Sequence, residues 1–183
     1  MRFVMYHRGM RLLATLRAQD VESVHVSDFD YTLYRPRTAV RVIVLDENKV
    51  ALIHVKRHDY YMLPGGGIEN GDMVAELHRE VLEELGCEIK LTSEVGAIEV
   101  YFDRWSSKQT DFCFTATKIR HIADTAPTGF EIEEGHTVVW AESLGEAVRL
   151  VKRANPVNRD GKLVRARDLL FLERVVASRS VST

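Results

Sequence analysis

The sequence predicts an α/β fold in which helices cover a mixed sheet, and three observations carry that reading. Short β-branched and apolar runs recur between residues 39 and 140, helical periodicity appears between and after them, and glycine, proline and acidic clusters separate the runs. At 183 residues the chain is long enough for one domain with a substantial core. The expected organisation is one domain over 1–183, with a core near 38–153, an N-terminal extension over 1–37 and a C-terminal helical segment over 154–183.

Taken in chain order, Met10, Leu12, Leu13 and Leu16 stand at helical spacing, but no caps flank them, so 1–37 reads only as an extension leading into the core. Residues 39–45 and 50–55 are strand-like, and Asp46, Glu47, Asn48 and Lys49 between them have turn chemistry, which makes a hairpin. A short strand over 60–63 runs into Pro64-Gly65-Gly66-Gly67, where glycine lets the backbone turn sharply and approach a ligand. A helix over 72–86 follows, closed by Gly86. Runs at 94–103 and 111–119 flank a polar stretch and read as a second hairpin. Residues 120–135 hold Pro127, Gly129 and Gly135 among acidic residues and read as an irregular loop. After a strand at 136–140, Ser143 and Glu146 form a capping-box pattern that opens a helix ended by Asn155 and Pro156. A last amphipathic helix is expected near 163–177.

Composition excludes several classes. The chain is 45% hydrophobic and 28% charged, and no apolar run approaches the roughly 20 residues of a membrane span. Charge interrupts the first eight residues too early for a secretory signal, so a cytoplasmic location is expected. A net charge of −2 provides no basic field for long nucleic acid. Cys87 and Cys113 read as core thiols, and the seven histidines are scattered along the chain, so zinc is not expected.

The 72–86 helix carries the chemistry. At about 100° per residue, Val74, Leu77, Val81, Leu82 and Leu85 fall within an arc of roughly 140°, the face expected to bury. Glu76, Glu80, Glu83 and Glu84 gather within roughly 100° on the other side, with Arg79 beside them. Like charges at i,i+4 oppose a helix by a few tenths of a kcal/mol per pair, which Arg79 offsets only in part. A carboxylate stripe directly after a glycine-rich turn is the oxygen-rich setting that hard divalent ions select.

Residues 65–87 resemble the Nudix box, which that family writes as G-x5-E-x7-R-E-U-x-E-E-x-G-U, with U a bulky aliphatic. Arg79-Glu80-Val81-Leu82-Glu83-Glu84-Leu85-Gly86 matches its second half at every specified position, and Cys87 takes the final U. In the first half Gly71 stands where the family has glutamate, which implies a loop one residue shorter with Asp72 or Glu69 substituting. The resemblance extends over roughly 38–153, through the strand before Pro64 and the segments at 135–140 and 143–147.

The resemblance implies a Nudix-type α/β/α sandwich with a central mixed sheet, and hydrolysis of a diphosphate bond in a nucleoside diphosphate linked to another moiety. It implies Mg2+, with Mn2+ as an alternative, held by Glu80, Glu83, Glu84 and the Gly65 carbonyl. Arg79 either orients a neighbouring glutamate or forms a surface ion pair with Glu83. Some family members place a further ligand or base on a loop after the box, and Glu131, Glu133 and Glu134 are the candidates here. Arg41, His58, Tyr60, Tyr101 and Phe102 are substrate-binding candidates by strand position, the aromatics because a base can stack on them. The expected partner is a small nucleotide-like diphosphate, with no long nucleic acid and no membrane, and the terminal segments offer surfaces for a homodimer. The competing reading is a nucleotide-binding regulatory domain without turnover. Isomerisation of an isoprenoid diphosphate, on the same fold, finds no support in the cysteine and histidine positions.

Overall fold

Asp46 and Lys49 close a tight hairpin between β2 (Arg35–Asp46) and β3 (Lys49–Val55), as the turn chemistry predicts. The computed structural model describes residues 9–24, 29–68 and 71–180. Beyond the hairpin they form β1 (Leu12–Leu16), β4 (Tyr60–Met62), β5 (Cys87–Phe102), β6 (Ser107–His121) and β7 (His136–Ala141). The helices are α1 (Met73–Leu85), α2 (Gly129–Glu134), α3 (Leu144–Arg153) and α4 (Arg159–Ser180). The strands make one mixed sheet in the order β1-β5-β6-β2-β3-β4, with β7 also paired to β3. β1 runs parallel to β5 and β2 parallel to β6, whereas the other pairs are antiparallel.

Two apolar clusters cover the two faces, which is the α/β/α sandwich with a central mixed sheet. Alternation along β2 sorts its side chains: Val40, Val42 and Val44 join Leu77, Val81 and Leu85 of α1 on one face. Ile43 and Leu45 join Val151 of α3 and Leu163, Phe171 and Leu172 of α4 on the other. Cys87 and Cys113 are buried free thiols, as expected.

Several elements depart from the sequence reading. Residues 12–16, whose leucines have helical spacing, form an edge strand instead. Their partner β5 lies far along the chain, and a five-residue run is too short for periodicity to separate helix from strand. β5 and β6 extend well beyond the runs at 94–103 and 111–119, leaving a short connection over Asp103–Trp105 and Ser106. β-bulges near Glu88, Leu91 and Glu94 let polar residues continue the long ladder. The 120–135 segment is not wholly irregular, because Thr128 and Glu131 form a capping box that starts α2. Ser143 caps α3 as expected, but the Glu146 carboxylate reaches the Glu142 N–H rather than the Ser143 N–H.

Helix α1 is rolled relative to its sequence pattern. Met73 and Glu76 are buried with Leu77, Val81 and Leu85, while Leu82 is 40% exposed. The buried stripe is therefore turned by about 70° at 100° per residue toward the glutamates. The roll brings Glu80 and Glu84 against the glycine loop.

Phe171 is fully buried and its neighbour Leu170 is 37% exposed. Phe171→Ala should cost about 3–5 kcal/mol by opening a cavity, and Leu170→Ala about 0.5 kcal/mol or less. Urea unfolding of both variants checks this; equal losses would show that α4 does not seal the core.

Candidate active site

The loop after β4 lies along the backbone of β2. Val42 donates to the Pro64 carbonyl at 3.0 Å, Val40 to the Gly66 carbonyl at 2.9 Å, and Ile68 to the Thr38 carbonyl at 3.0 Å. Gly65 has φ of +128°, and a Cβ there would fall on the Val40 carbonyl, so only glycine fits. A Cβ at Gly66 would fall on the Glu80 carboxylate, so that side chain packs directly on bare backbone.

Against this loop α1 presents its glutamates. The Gly65 N–H donates to Glu84 Oε2 at 2.7 Å. Arg79 donates to Glu76 through Nε at 2.8 Å, to Glu83 Oε2 through Nη1 at 2.5 Å, and also to Glu80. It both orients neighbouring glutamates and makes the i,i+4 pair, and buried Glu76 is its deepest partner. Asp72 does not stand in for the missing glutamate. It caps α1, accepting from the Val74 and Ala75 N–H groups at 3.1 and 3.0 Å. Glu69 lies outside the described residues.

Burial pushes the Glu84 carboxyl up to about 8, against the opposing pull of the Gly65 N–H and the Arg41 charge. Burial likewise raises Glu80, with Arg79 opposing. Among the described residues no three His, Cys, Asp or Glu side chains stand together as a ready-made metal cage. Arg79 supplies a reason on the helix, since it draws Glu80 and Glu83 to itself.

A cleft of about 280 Å³ opens beside Glu83 and Glu84. Glu131 and His136 face them across it, with Ile53, Pro127 and Val138 as apolar walls. Of the three later carboxylates only Glu131 lines this cleft, and it also receives the Thr128 N–H at 2.6 Å. Glu133 is exposed on α2, and Glu134 turns to His58 Nε2 at 2.7 Å. The substrate-binding candidates scatter. Arg41 lies beside the glutamates but is engaged with the Gly65 carbonyl and, at 3.0 Å, with Asp111. Tyr60 packs against Gly161 at the start of α4. Tyr101 stands in an aromatic group with Tyr31 and Tyr34, and Phe102 is buried in the α4-side core.

Sequence reasoning missed His136 and the buried charges Asp111, Arg167 and Asp168. His136 follows Gly135 at a strand start and carries no local signal. The other three interrupt apolar runs, and a charge at an inward-facing position of a strand or helix was the available sign.

The raised Glu84 pKa has a measurable sign. A carboxyl that keeps its proton to higher pH when folded stabilises fully below the ordinary value of 4.5, and that contribution is lost as pH rises through about 8. In chelator, thermal stability should therefore fall across this window, and Glu84→Gln should flatten the slope and melt a few degrees higher at pH 8. A slope unchanged in the variant would locate the titration elsewhere.

The chain's sequence matches the NUDIX domain family model over residues 35–161, a longer span than the 38–153 expected. No curated protein matches it. Solved structures share the fold. A NUDIX hydrolase from Nitrosomonas europaea superposes with a TM-score of 0.59 at 17% identity, covering 79% of this chain and 90% of that one. The E. coli ORF135 protein gives 0.55 at 18% identity, covering 81% and 94%. A UDP-X diphosphatase gives 0.54 at 16% identity, covering 88% and 75%. Matched by the family's sequence model over more than half its length, and folded as these proteins are, this chain belongs to the NUDIX family.

Proposed function

We propose that the protein is a metal-dependent hydrolase that cleaves the diphosphate bond of a small nucleoside diphosphate linked to another moiety. Family membership supports hydrolysis of a diphosphate-linked moiety in general terms. The observation that carries the finer reading is the docking of Glu80 and Glu84 on the Gly65–Gly66 backbone at the edge of a cleft that Glu83 and Glu131 also line.

The donor set suits Mg2+ or Mn2+: Glu80, Glu83, Glu84 and the Gly65 carbonyl offer only oxygen, and two of the carboxyls are held at raised pKa where a cation would favour the charged form. When bound, the ion supplies neutralisation of the diphosphate and a more acidic water. Glu131, across the cleft, takes the proton of the attacking water. The new bond joins the water oxygen to phosphorus, and the bond from that phosphorus to the bridging oxygen breaks, leaving two phosphate-bearing products. Arg79 keeps Glu80 and Glu83 aligned through charge-assisted hydrogen bonds. The apolar walls at Ile53, Pro127 and Val138 limit water at the reacting centre.

One observation favours a second reading, nucleotide binding without turnover: no three carboxylates are preassembled among the described residues. Incubation with ADP-ribose, a nucleotide sugar, a dinucleoside polyphosphate, an oxidised nucleoside triphosphate and a capped RNA end, each with Mg2+, Mn2+ or chelator, separates the two. Metal-dependent release of phosphate-bearing products is expected, with kcat about 100-fold lower in Glu131→Gln and activity abolished in Glu84→Gln. Absence of turnover across the panel, with one nucleotide raising the melting temperature, would favour the binding module.

A further inference from the structure

A row of fully or largely buried charges runs from α4 to the glycine loop. Arg167, 1% exposed, donates from Nε to Asp168 Oδ1 at 2.7 Å and from Nη1 to Asp111 Oδ1 at 3.1 Å. Asp111, fully buried in β6, also receives Arg41 Nε at 3.0 Å and the Gln109 amide. Both ends of the row grip the loop backbone. Asp168 Oδ2 accepts the Leu63 N–H at 2.9 Å, and Arg41 donates to the Gly65 carbonyl.

Two arginines and two aspartates sum to no net charge, so the row is self-compensated. Even so, such a set is a poor source of stability, since apolar residues of similar volume often do as well or better. What apolar residues could not do is bond the loop. β4 ends at Met62, Pro64 carries no N–H, and the β2 ladder uses the Pro64 and Gly66 carbonyls. The Leu63 N–H and the Gly65 carbonyl are left to side chains, and Asp168 and Arg41 satisfy them. The Gly65 N–H in turn holds Glu84 at 2.7 Å.

We infer that Arg167 and Asp168 of α4, acting through Asp111 and Arg41, are positioning residues that clamp the Leu63–Gly65 segment and thereby set the placement of Glu84 and the Gly65 carbonyl. Both α4 residues lie beyond residue 161, where the family match ends. The clamp itself is independent of the reaction; its value to metal binding rests on the function proposed above.

The test combines amide hydrogen exchange by NMR with titration of Mn2+ alone, followed by electron paramagnetic resonance, on the full chain. In the wild-type protein the Leu63 and Gly65 amides should exchange as slowly as those of the α4 core. Arg167→Lys keeps the charge but loses the fork that joins the two aspartates, and Asp168→Asn keeps the shape. Each should speed exchange at Leu63 and Gly65 about tenfold and weaken Mn2+ binding several-fold, while amides of α1 near Val81 stay protected. If Arg167→Lys does not fold, Asp168→Asn and the wild-type exchange rates still decide. Fast wild-type exchange at Leu63 and Gly65 overturns the inference. So do variants that lower the melting temperature with loop exchange and Mn2+ affinity unchanged. Wild-type protein that binds no Mn2+ overturns the metal role and with it the reading of the site, and the exchange rates tell that failure apart from failure of the clamp.

Discussion

The structure depends on a handover along β2. Its hairpin partner β3 pairs with it only at Leu45 and Asp46, and farther back the same backbone edge is taken by the Pro64–Ile68 loop. A stretch of strand that its neighbour leaves uncovered needs partners for its N–H and C=O groups, and the loop supplies them at Thr38, Val40 and Val42. That register fixes where Gly65 and Gly66 lie. Those two glycines, in turn, fix how close α1 can bring its carboxylates, because any side chain at either position would collide with the strand or with Glu80.

The helix answers the loop by rolling. A purely amphipathic packing would bury Leu82 and leave all four glutamates in water. Instead Leu82 is left partly exposed, Glu76 is buried, and Glu80 and Glu84 lie partly withdrawn from water. Removing like charges from solvent is unfavourable, and Arg79 relieves it for three of the four glutamates through direct contacts. Glu84, whose hydrogen bond comes from the loop, carries the largest perturbation among the box carboxyls. Carboxyls held at raised pKa beside a cleft mark this end of α1 as a candidate site.

Much of this was legible in the sequence, because the signals are local. Turn chemistry at Asp46–Lys49, the capping residue Ser143 and the glutamate spacing of α1 each act within a few residues, and each appears in the fold. What the sequence hid depends on distance. β1 looks helical because its partner is remote, and α2 is concealed in a segment whose glycines and proline read as loop. The helix pattern also gave the wrong buried centre, since hydrophobicity cannot report that a glycine loop would accept glutamates. Within the candidate site the grouping of the helix glutamates with Gly65 was legible from the motif, whereas the cleft wall at His136 and the position of Glu131, rather than Glu133 or Glu134, on that cleft were not. They follow from where β7 enters the sheet beside β3.

The parallel ladder between β2 and β6 has a kinetic consequence. Arg35 pairs with Ser107 and Leu45 with Thr117, so each rung closes a loop of 72 residues. Contacts of such long separation must meet the entropy of loop closure before they return any energy, and folds dominated by them assemble slowly. During synthesis β2, with its run of valines and isoleucine, emerges well before its central partner. Until β6 arrives, that strand has one unpaired edge, and the hairpin with β3 covers only its far end. Arg35 and Arg37 precede the apolar run on this strand and Arg41 interrupts it, and charges so placed disfavour pairing of an exposed edge with other chains. The one charge inside that run is the arginine that in the folded chain joins Asp111 to the Gly65 carbonyl.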